Sequence, residues 1–247
     1  MNILGVIPAR FASTRFPGKP LAMIREKSMI QRVYEQALKA DCLAYVVVAT
    51  DDERIFNHVT GFGGQALLTS TEHQSGTDRC AEVADKLPGF DAVINIQGDE
   101  PFIAPEQIDL LCSCFNDPHA EIATLVKMIR STEELFNPNT PKVVLNSHSE
   151  AIYFSRTPIP FLRGKETEEW LSLHHYFKHI GIYGYRTETL KQITRLPVSP
   201  LEKAEALEQL RWVEHAYRIK VAETDLETQA VDTPEDLQKI IRDNSRR

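Results

Sequence analysis

Residues 3–115 alternate short β-branched runs with helix-length amphipathic segments, and this rhythm limits the architecture more than any other feature of the chain. ILGVIP (3–8), AYVVVATDD (44–52), ALLTS (66–70) and DAVINIQGDEP (91–101) read as strands. Between them, SMIQRVYEQALK (28–39) sets Met29, Ile30, Val33, Tyr34, Ala37 and Leu38 on one helical stripe. DERIFNHV (52–59), GTDRCAEVADKL (76–87) and PEQIDLLCSCF (105–115) read as further helices, the last with Pro105 in its first turn. Strands separated by helices of crossover length form a parallel sheet covered on both faces. Right-handed crossovers put the C-terminal ends of such strands on one edge, where ligands bind. Loops 8–19, 50–52 and 97–101 are therefore expected to share one crevice.

The second half is less regular. EIATLVKMI (121–129), KVVLN (142–146), AIYFS (151–155) and HIGIYGY (179–185) read as strands without a crossover helix between each pair. That predicts antiparallel hairpins or a mixed lobe. His174 and His175 are placed on a strand, pointing opposite ways. Residues 199–218 read as one helix, opened by Ser199, Pro200 and Glu202 as a capping box. IKVAET (219–224) is a strand, and 233–244 a final helix with Thr233 as cap and Pro234 in its first turn. There is no internal repeat or low-complexity segment.

The chain has 247 residues, 28 of them basic and 35 acidic, for a net charge of -7. That balance argues against nucleic-acid or anionic-membrane binding, which needs a broad basic field. No uncharged run approaches the roughly 20 residues of a membrane span, and no signal peptide is read at the N-terminus. The four cysteines, Cys42, Cys80, Cys112 and Cys114, include no CxxC pair, so a zinc site is unsupported. They read as thiols of a cytoplasmic, reduced protein, with Cys112 and Cys114 in a buried helix. No HExxH and no nucleophile elbow occurs, so a hydrolase is unsupported.

Against this acidic background, PARFASTRFPGKPL (8–21) holds Arg10, Arg15 and Lys19 in the first loop. It is not a P-loop, because Ser13 and Pro20 stand where that motif needs Gly and Ser or Thr. The dinucleotide fingerprint GxGxxG is absent after the first strand. Converging cations in a partly dry crevice suit a polyphosphate, with Arg as a planar fork and Lys as a movable point charge. Pro17 and Pro20 would limit loop entropy. Taken alone, the loop reads equally as a solvated basic surface. QGDEP (97–101) offers carboxylates suited to Mg²⁺ on phosphate, Asp99 above all, although acidic turns after strands are common. Asp51 or Asp52 reads as the cap of the following helix, and Asp232 as a local capping group.

Together these stretches resemble one family, the CTP-dependent 3-deoxy-D-manno-octulosonate (KDO) cytidylyltransferases. The matching segments are IPARFASTRFPGKPL, ATDD, HQSGTDR (73–79), NIQGDEP, FNPN (136–139), KVVL, YFSR (153–156), HIGIYGYR, SPLEKAEALEQLR and VDTPEDL, in the family's order. Residues 157–176 match poorly, and Asp78 stands where the family often has Glu. The resemblance implies an α/β nucleotidyltransferase-type, Rossmann-like fold with a mostly parallel sheet. It also implies one domain over 1–247 with an inserted mixed or antiparallel lobe at about 130–190, used for dimerisation and sugar binding. The implied reaction joins CTP and KDO to give CMP-KDO and pyrophosphate, with Mg²⁺ as cofactor. It activates KDO for lipopolysaccharide synthesis, in a cytoplasmic homodimer.

The resemblance further implies that Arg10 and Lys19 hold the triphosphate, with Ser13 as a helper. Pro8, Ala9, Ser75, Gly76 and Gln97 would surround the cytidine, and Asp99 and Asp232 would bind Mg²⁺. Arg156, His179, Tyr183, Glu208 and Gln209 would hold the sugar acid, Arg156 facing its carboxylate. Alternatives are a cytidylyltransferase for another sugar acid (8-amino-KDO or sialic acid) and a non-catalytic nucleotide-binding regulator.

Overall fold

The computed structural model describes residues 1–12 and 16–243. The chain divides into two units, Met1–Asp109 with the segment from Thr228 onward, and Leu110–Glu227. The lobe expected at about 130–190 lies inside the second.

The first unit begins with β1 (Ile3–Ala9) and a small hairpin, β2 (Met23–Ile24) and β3 (Lys27–Ser28). α1 (Met29–Ala37), β4 (Tyr45–Thr50), α2 (Glu53–Gly61), β5 (Ala66–Leu68), α3 (Gly76–Lys86), β6 (Ala92–Asn95) and α4 (Pro105–Ser113) follow. The strands run in the order β6-β1-β4-β5, all parallel. Leu4, Val6 and Ile7 of β1, Val46–Ala49 of β4 and Ala92–Ile94 of β6 are buried without alternation, as parallel strands covered on both faces require. Side-chain caps start the helices. Ser28 accepts from Gln31 N at 3.2 Å, Asp52 from Arg54 N at 2.9 Å, and Ser75 and Asp78 form a reciprocal capping box. Each such cap contributes about 1 kcal/mol. One reading needs correction, and one element went unread. Leu38 is not on the buried stripe: α1 ends at Ala37, and Leu38, its C-cap, is 56% exposed. The β2–β3 hairpin has no Gly or Asn signal, because Arg25 supplies its positive φ of 57°.

The C-terminal segment returns to this unit. Val231 and Ile240 pack with Ile24 and Met29, with Phe16, Phe102, Leu237 and Ile241 around them. Thr233 and Asp236 cap the closing helix (Pro234–Asp243) reciprocally, at 3.0 and 3.2 Å. Val231 N–H donates to Asp99 O at 2.9 Å. This apolar anchor delivers residue 232 beside residue 99, across more than half of the sequence.

The second unit holds β7 (Ile122–Met128), α5 (Thr132–Phe136), β8 (Lys142–Leu145), β9 (Ala151–Ser155), α6 (Trp170–Leu173) and β10 (Phe177–Arg186). α7 (Thr187–Ile193), α8 (Pro200–Glu205), α9 (Gln209–Glu214) and β11 (Ile219–Glu223) complete it, and the closing helix of the first unit is α10. β11 pairs with β7 in parallel, while β7–β10, β10–β8 and β8–β9 are antiparallel. The mixed character matches expectation, and two details do not. His174 closes α6 as its C-cap and His175 follows, so neither lies on a strand. The turn of α6 seats Trp170 against Ile129, Leu135 and Tyr176, and β10 starts only after that cluster. Residues 199–218 are not one helix, because Ala206 adopts φ 50° and ψ 49° and separates α8 from α9. Cys80, Cys112 and Cys114 are buried, and none of the four cysteines forms a disulfide among the described residues. Burial pushes the Cys114 thiol up to about 11, which removes it as a nucleophile.

Candidate active site

In the first unit, the C-terminal ends of the parallel strands carry the predicted loops. Pro8 and Ala9 end β1, and Arg10 is exposed with no ion-pair partner among the described residues. The loop then doubles back, with Gly18 N–H donating to Phe11 O at 2.9 Å. Gly18 has φ +71°, and a Cβ there would lie 3.2 Å from the Phe11 ring. This turn presents Lys19 inward, 15% exposed, with Nζ 2.8 Å from Asp99 Oδ2 and 3.6 Å from Asp232 Oδ1. Two acids far apart in the sequence therefore converge on one ammonium. Gly98 allows the approach, since a Cβ there would sit 2.8 Å from Pro8 O. Loop 50–52 joins through Asp52, which pairs with Arg54 at 2.6 Å, and Arg54 stacks over the Phe11 ring. The three loops do share one edge. Ser13 and Arg15 lie outside the described residues.

Ser75 and Gly76 open α3, and a Cβ on Gly76 would stand 3.5 Å from the Pro8 ring, so the helix N-terminus abuts the end of β1. Asp78 is spent on the Ser75 cap. Gln97 is half-buried between β6 and the acidic turn. Beside Asp99, burial raises the Glu100 carboxyl, against a hydrogen bond from Thr228 at 2.6 Å and with help from the Asp99 charge. The sequence reading missed the pair beneath this edge: Arg79, 1% exposed, donates to Asp51 at 2.8 Å and to the Thr69 hydroxyl. An arginine on the buried face of α3, with an acid at a strand end, was the available signal. Asp52 and not Asp51 is the cap, and Thr233 and not Asp232 caps α10.

In the second unit, Arg156 is gripped by neutral groups. Its Nε donates to Glu205 O at 2.6 Å, Nη1 to Pro138 O at 3.0 Å and Nη2 to Ala206 O at 3.1 Å. The Glu205 carboxylate is taken by the Ser155 hydroxyl and the Arg156 backbone N–H, at 2.8 and 2.9 Å. No carboxylate ion-pairs with the Arg156 guanidinium among the described residues, so neutral carbonyls alone fix its charge in place. The left-handed Ala206 that ends α8 turns two of those three carbonyls toward it. Lys142, fully buried, ties the same loop by donating to Asn137 O and Thr140 O at 2.8 and 2.7 Å.

His179 and Tyr183 lie on β10 with ring centroids 5.1 Å apart, within a cluster including Phe154, Tyr185 and Trp212. Burial lowers His179 to about 3, so its ring is neutral. Burial raises Tyr183 well above the ordinary range, helped by the Tyr185 and Glu208 charges. The Tyr183 hydroxyl is buried with no hydrogen-bond partner among the described residues. Buried polar groups without a partner are rare in folded proteins. Gln209 is buried at the start of α9.

A parallel-sheet unit with cations and carboxylates at its strand ends defines an α/β protein of the nucleotidyltransferase type. The cytidylyltransferase family model matches residues 4–221. The 3-deoxy-manno-octulosonate cytidylyltransferase of Parabacteroides distasonis is 58% identical over 98% of this chain and 97% of its own length. That of Bacteroides thetaiotaomicron is 58% identical over 96% of each chain. A solved CMP:2-keto-3-deoxy-manno-octonic acid synthetase complexed with CTP is 44% identical, with TM-score 0.92 over 100% of this chain and 99% of that one. The chain belongs to the 3-deoxy-manno-octulosonate cytidylyltransferase family.

Proposed function

We propose that the protein transfers the cytidylyl group of CTP to the anomeric hydroxyl of KDO, giving CMP-KDO and pyrophosphate. The observation that carries this reading is the Lys19 ammonium set between Asp99 and Asp232, on the loop that opens with the exposed Arg10. Arg10 and Lys19 hold the triphosphate and stabilise charge as pyrophosphate leaves. The β1 end at Pro8 and Ala9, the α3 start at Ser75 and Gly76, and Gln97 enclose the cytidine. Arg156 takes the sugar carboxylate, and His179, Tyr183, Glu208 and Gln209 its hydroxyls. The sugar hydroxyl attacks the α-phosphorus in line with the departing pyrophosphate, forming one P–O bond as another breaks. No covalent enzyme intermediate is needed, and the chain's part is positioning and charge stabilisation.

Two carboxylates already gathered round a cation fit Mg²⁺, which binds through one or two carboxylates plus substrate phosphates. Asp99 and Asp232 would hold it. When bound, it would neutralise phosphate charge and lower the cost of deprotonating the attacking hydroxyl. We also place the enzyme in the cytoplasm, supplying activated KDO for lipopolysaccharide synthesis, as a homodimer. The dimer is supported by exposed apolar side chains in the second unit, Ile152, Phe161 and Leu173, at 53%, 73% and 52%.

Pyrophosphate release across nucleotides and sugar acids tests the reaction. Release with CTP, KDO and Mg²⁺ together is the expected result. No release would favour a non-catalytic nucleotide binder, and preferential turnover of sialic acid or 8-amino-KDO would change the substrate.

A further inference from the structure

Thr124, on β7, is fully buried and makes three polar contacts. Its Oγ1 lies 2.9 Å from His179 Nε2, 2.8 Å from Ile182 O and 3.3 Å from Ile180 O. A hydroxyl has one proton to give, and a carbonyl can only accept. Were the proton aimed at His179, Thr124 Oγ1 and Ile182 O would face each other at 2.8 Å as two bare acceptors. The proton therefore goes to a carbonyl, and His179 Nε2 is the donor to Thr124. Since burial keeps this ring neutral, its Nδ1 carries no proton and is an acceptor. Nδ1 has no hydrogen-bond partner among the described residues, and His179 keeps partial exposure.

The same hydroxyl stitches a bulge. The β10–β7 pairing jumps from Ile180↔Leu125 to Tyr183↔Thr124, leaving Gly181 and Ile182 outside the ladder. Thr124 sits against the carbonyls of Ile180 and Ile182 that flank the jump. This brings the Tyr183 ring alongside His179, with its partnerless hydroxyl in the same cluster.

We propose that Thr124 is a positioning residue of the sugar-acid site: its hydroxyl holds the β10 bulge and keeps His179 in the Nε2–H form, so that Nδ1 accepts a hydrogen bond from a substrate hydroxyl. The proposal rests on the reading that His179 and Tyr183 hold the sugar acid. It adds a specificity rule. The contacted substrate position must bring a donor, because an analogue that lacks one leaves a desolvated acceptor unpaired.

Nitrogen-15 NMR of the labelled protein reads the tautomer directly, with His179→Gln assigning the signal. A neutral Nε2–H ring at pH near neutrality is expected, and an Nδ1–H ring or an imidazolium overturns the proposal. This arm needs no Thr124 variant to fold. Thr124→Val keeps the shape and removes the hydroxyl. It should raise the KM for the sugar acid about tenfold or more, leave the KM for CTP unchanged, and lose the Nε2–H signature. Thr124→Ser should restore all three. A parallel rise in both KM values, or a Ser variant no better than Val, assigns Thr124 a merely structural role and contradicts the proposal. If His179→Gln leaves the sugar-acid KM unchanged while the wild-type tautomer is as expected, the underlying sugar-site reading has failed instead.

Discussion

The two units fix their charged and polar side chains in opposite ways, and on the proposed reading each way suits a different ligand. In the first, charge meets charge: Lys19 lies between Asp99 and Asp232, and Arg79 is buried against Asp51. In the second, the ligand-facing groups are held by neutral partners: Arg156 by three carbonyls, and His179 by the Thr124 hydroxyl. The first arrangement suits a ligand whose charge is redistributed during reaction, because mobile cations can follow the leaving pyrophosphate. The second suits a ligand recognised by shape and hydroxyl pattern, because each donor and acceptor is fixed in advance.

Removing Lys19 should break the first arrangement most severely. Lys19→Ala is expected to lower kcat for pyrophosphate release by about 10²–10³-fold. Thermal melting should change little, because the side chain starts a single helical turn at the strand edge and packs in no apolar core cluster of the described residues. A protein that melts far earlier would mean that the Lys19 cluster holds the fold and not the ligand.

The counterpart in the second unit is Arg156→Lys, which keeps the charge and loses the planar fork. It should raise the sugar-acid KM by about 10–100-fold and leave the KM for CTP unchanged. A variant as good as wild type would show that only the charge matters there.

The smallest effects separate the units by pH. His179 falls from 6.5 to about 3 because it is buried. The unfolded chain takes a proton that the folded ring refuses, so this contribution to stability is complete above pH 6.5 and declines as pH falls toward 3. In the first unit Glu82 falls from 4.5 to about 2. Burial would raise it, but hydrogen bonds from Lys86, Ser70 N–H and His73 prevail. Its contribution is complete above pH 4.5 and is lost as pH falls toward 2. Urea unfolding at stepped pH should lose the upper part of the acid slope in His179→Gln and the lower part in Glu82→Gln.

The units also differ in how far their sequences disclose them. The first was largely legible, because its signals are local: β-branched runs, the cap read at Asp51 or Asp52, and loops that topology must gather at one edge. What it hid was non-local, the Arg79–Asp51 pair and the return of Asp232 on the Val231 and Ile240 anchor. The second unit was legible as strands and little more. The break between α8 and α9 has no Gly or Pro, because Arg156 and Ser155 hold Glu205 and Ala206 from fifty residues away. The β10 bulge likewise depends on Thr124, 58 residues before Ile182. In both cases a tertiary hydrogen bond overrides local propensity, and the one local mark is Gly181 within the bulge.

The central claim, that the first unit holds the nucleotide's charge and the second reads the sugar acid, is tested most directly by calorimetric titration of CTP with Mg²⁺ into wild type, Lys19→Ala and Arg156→Lys without sugar acid. CTP affinity should fall at least about tenfold in Lys19→Ala and match wild type in Arg156→Lys. Unchanged affinity in Lys19→Ala, or a loss confined to Arg156→Lys, would contradict the account.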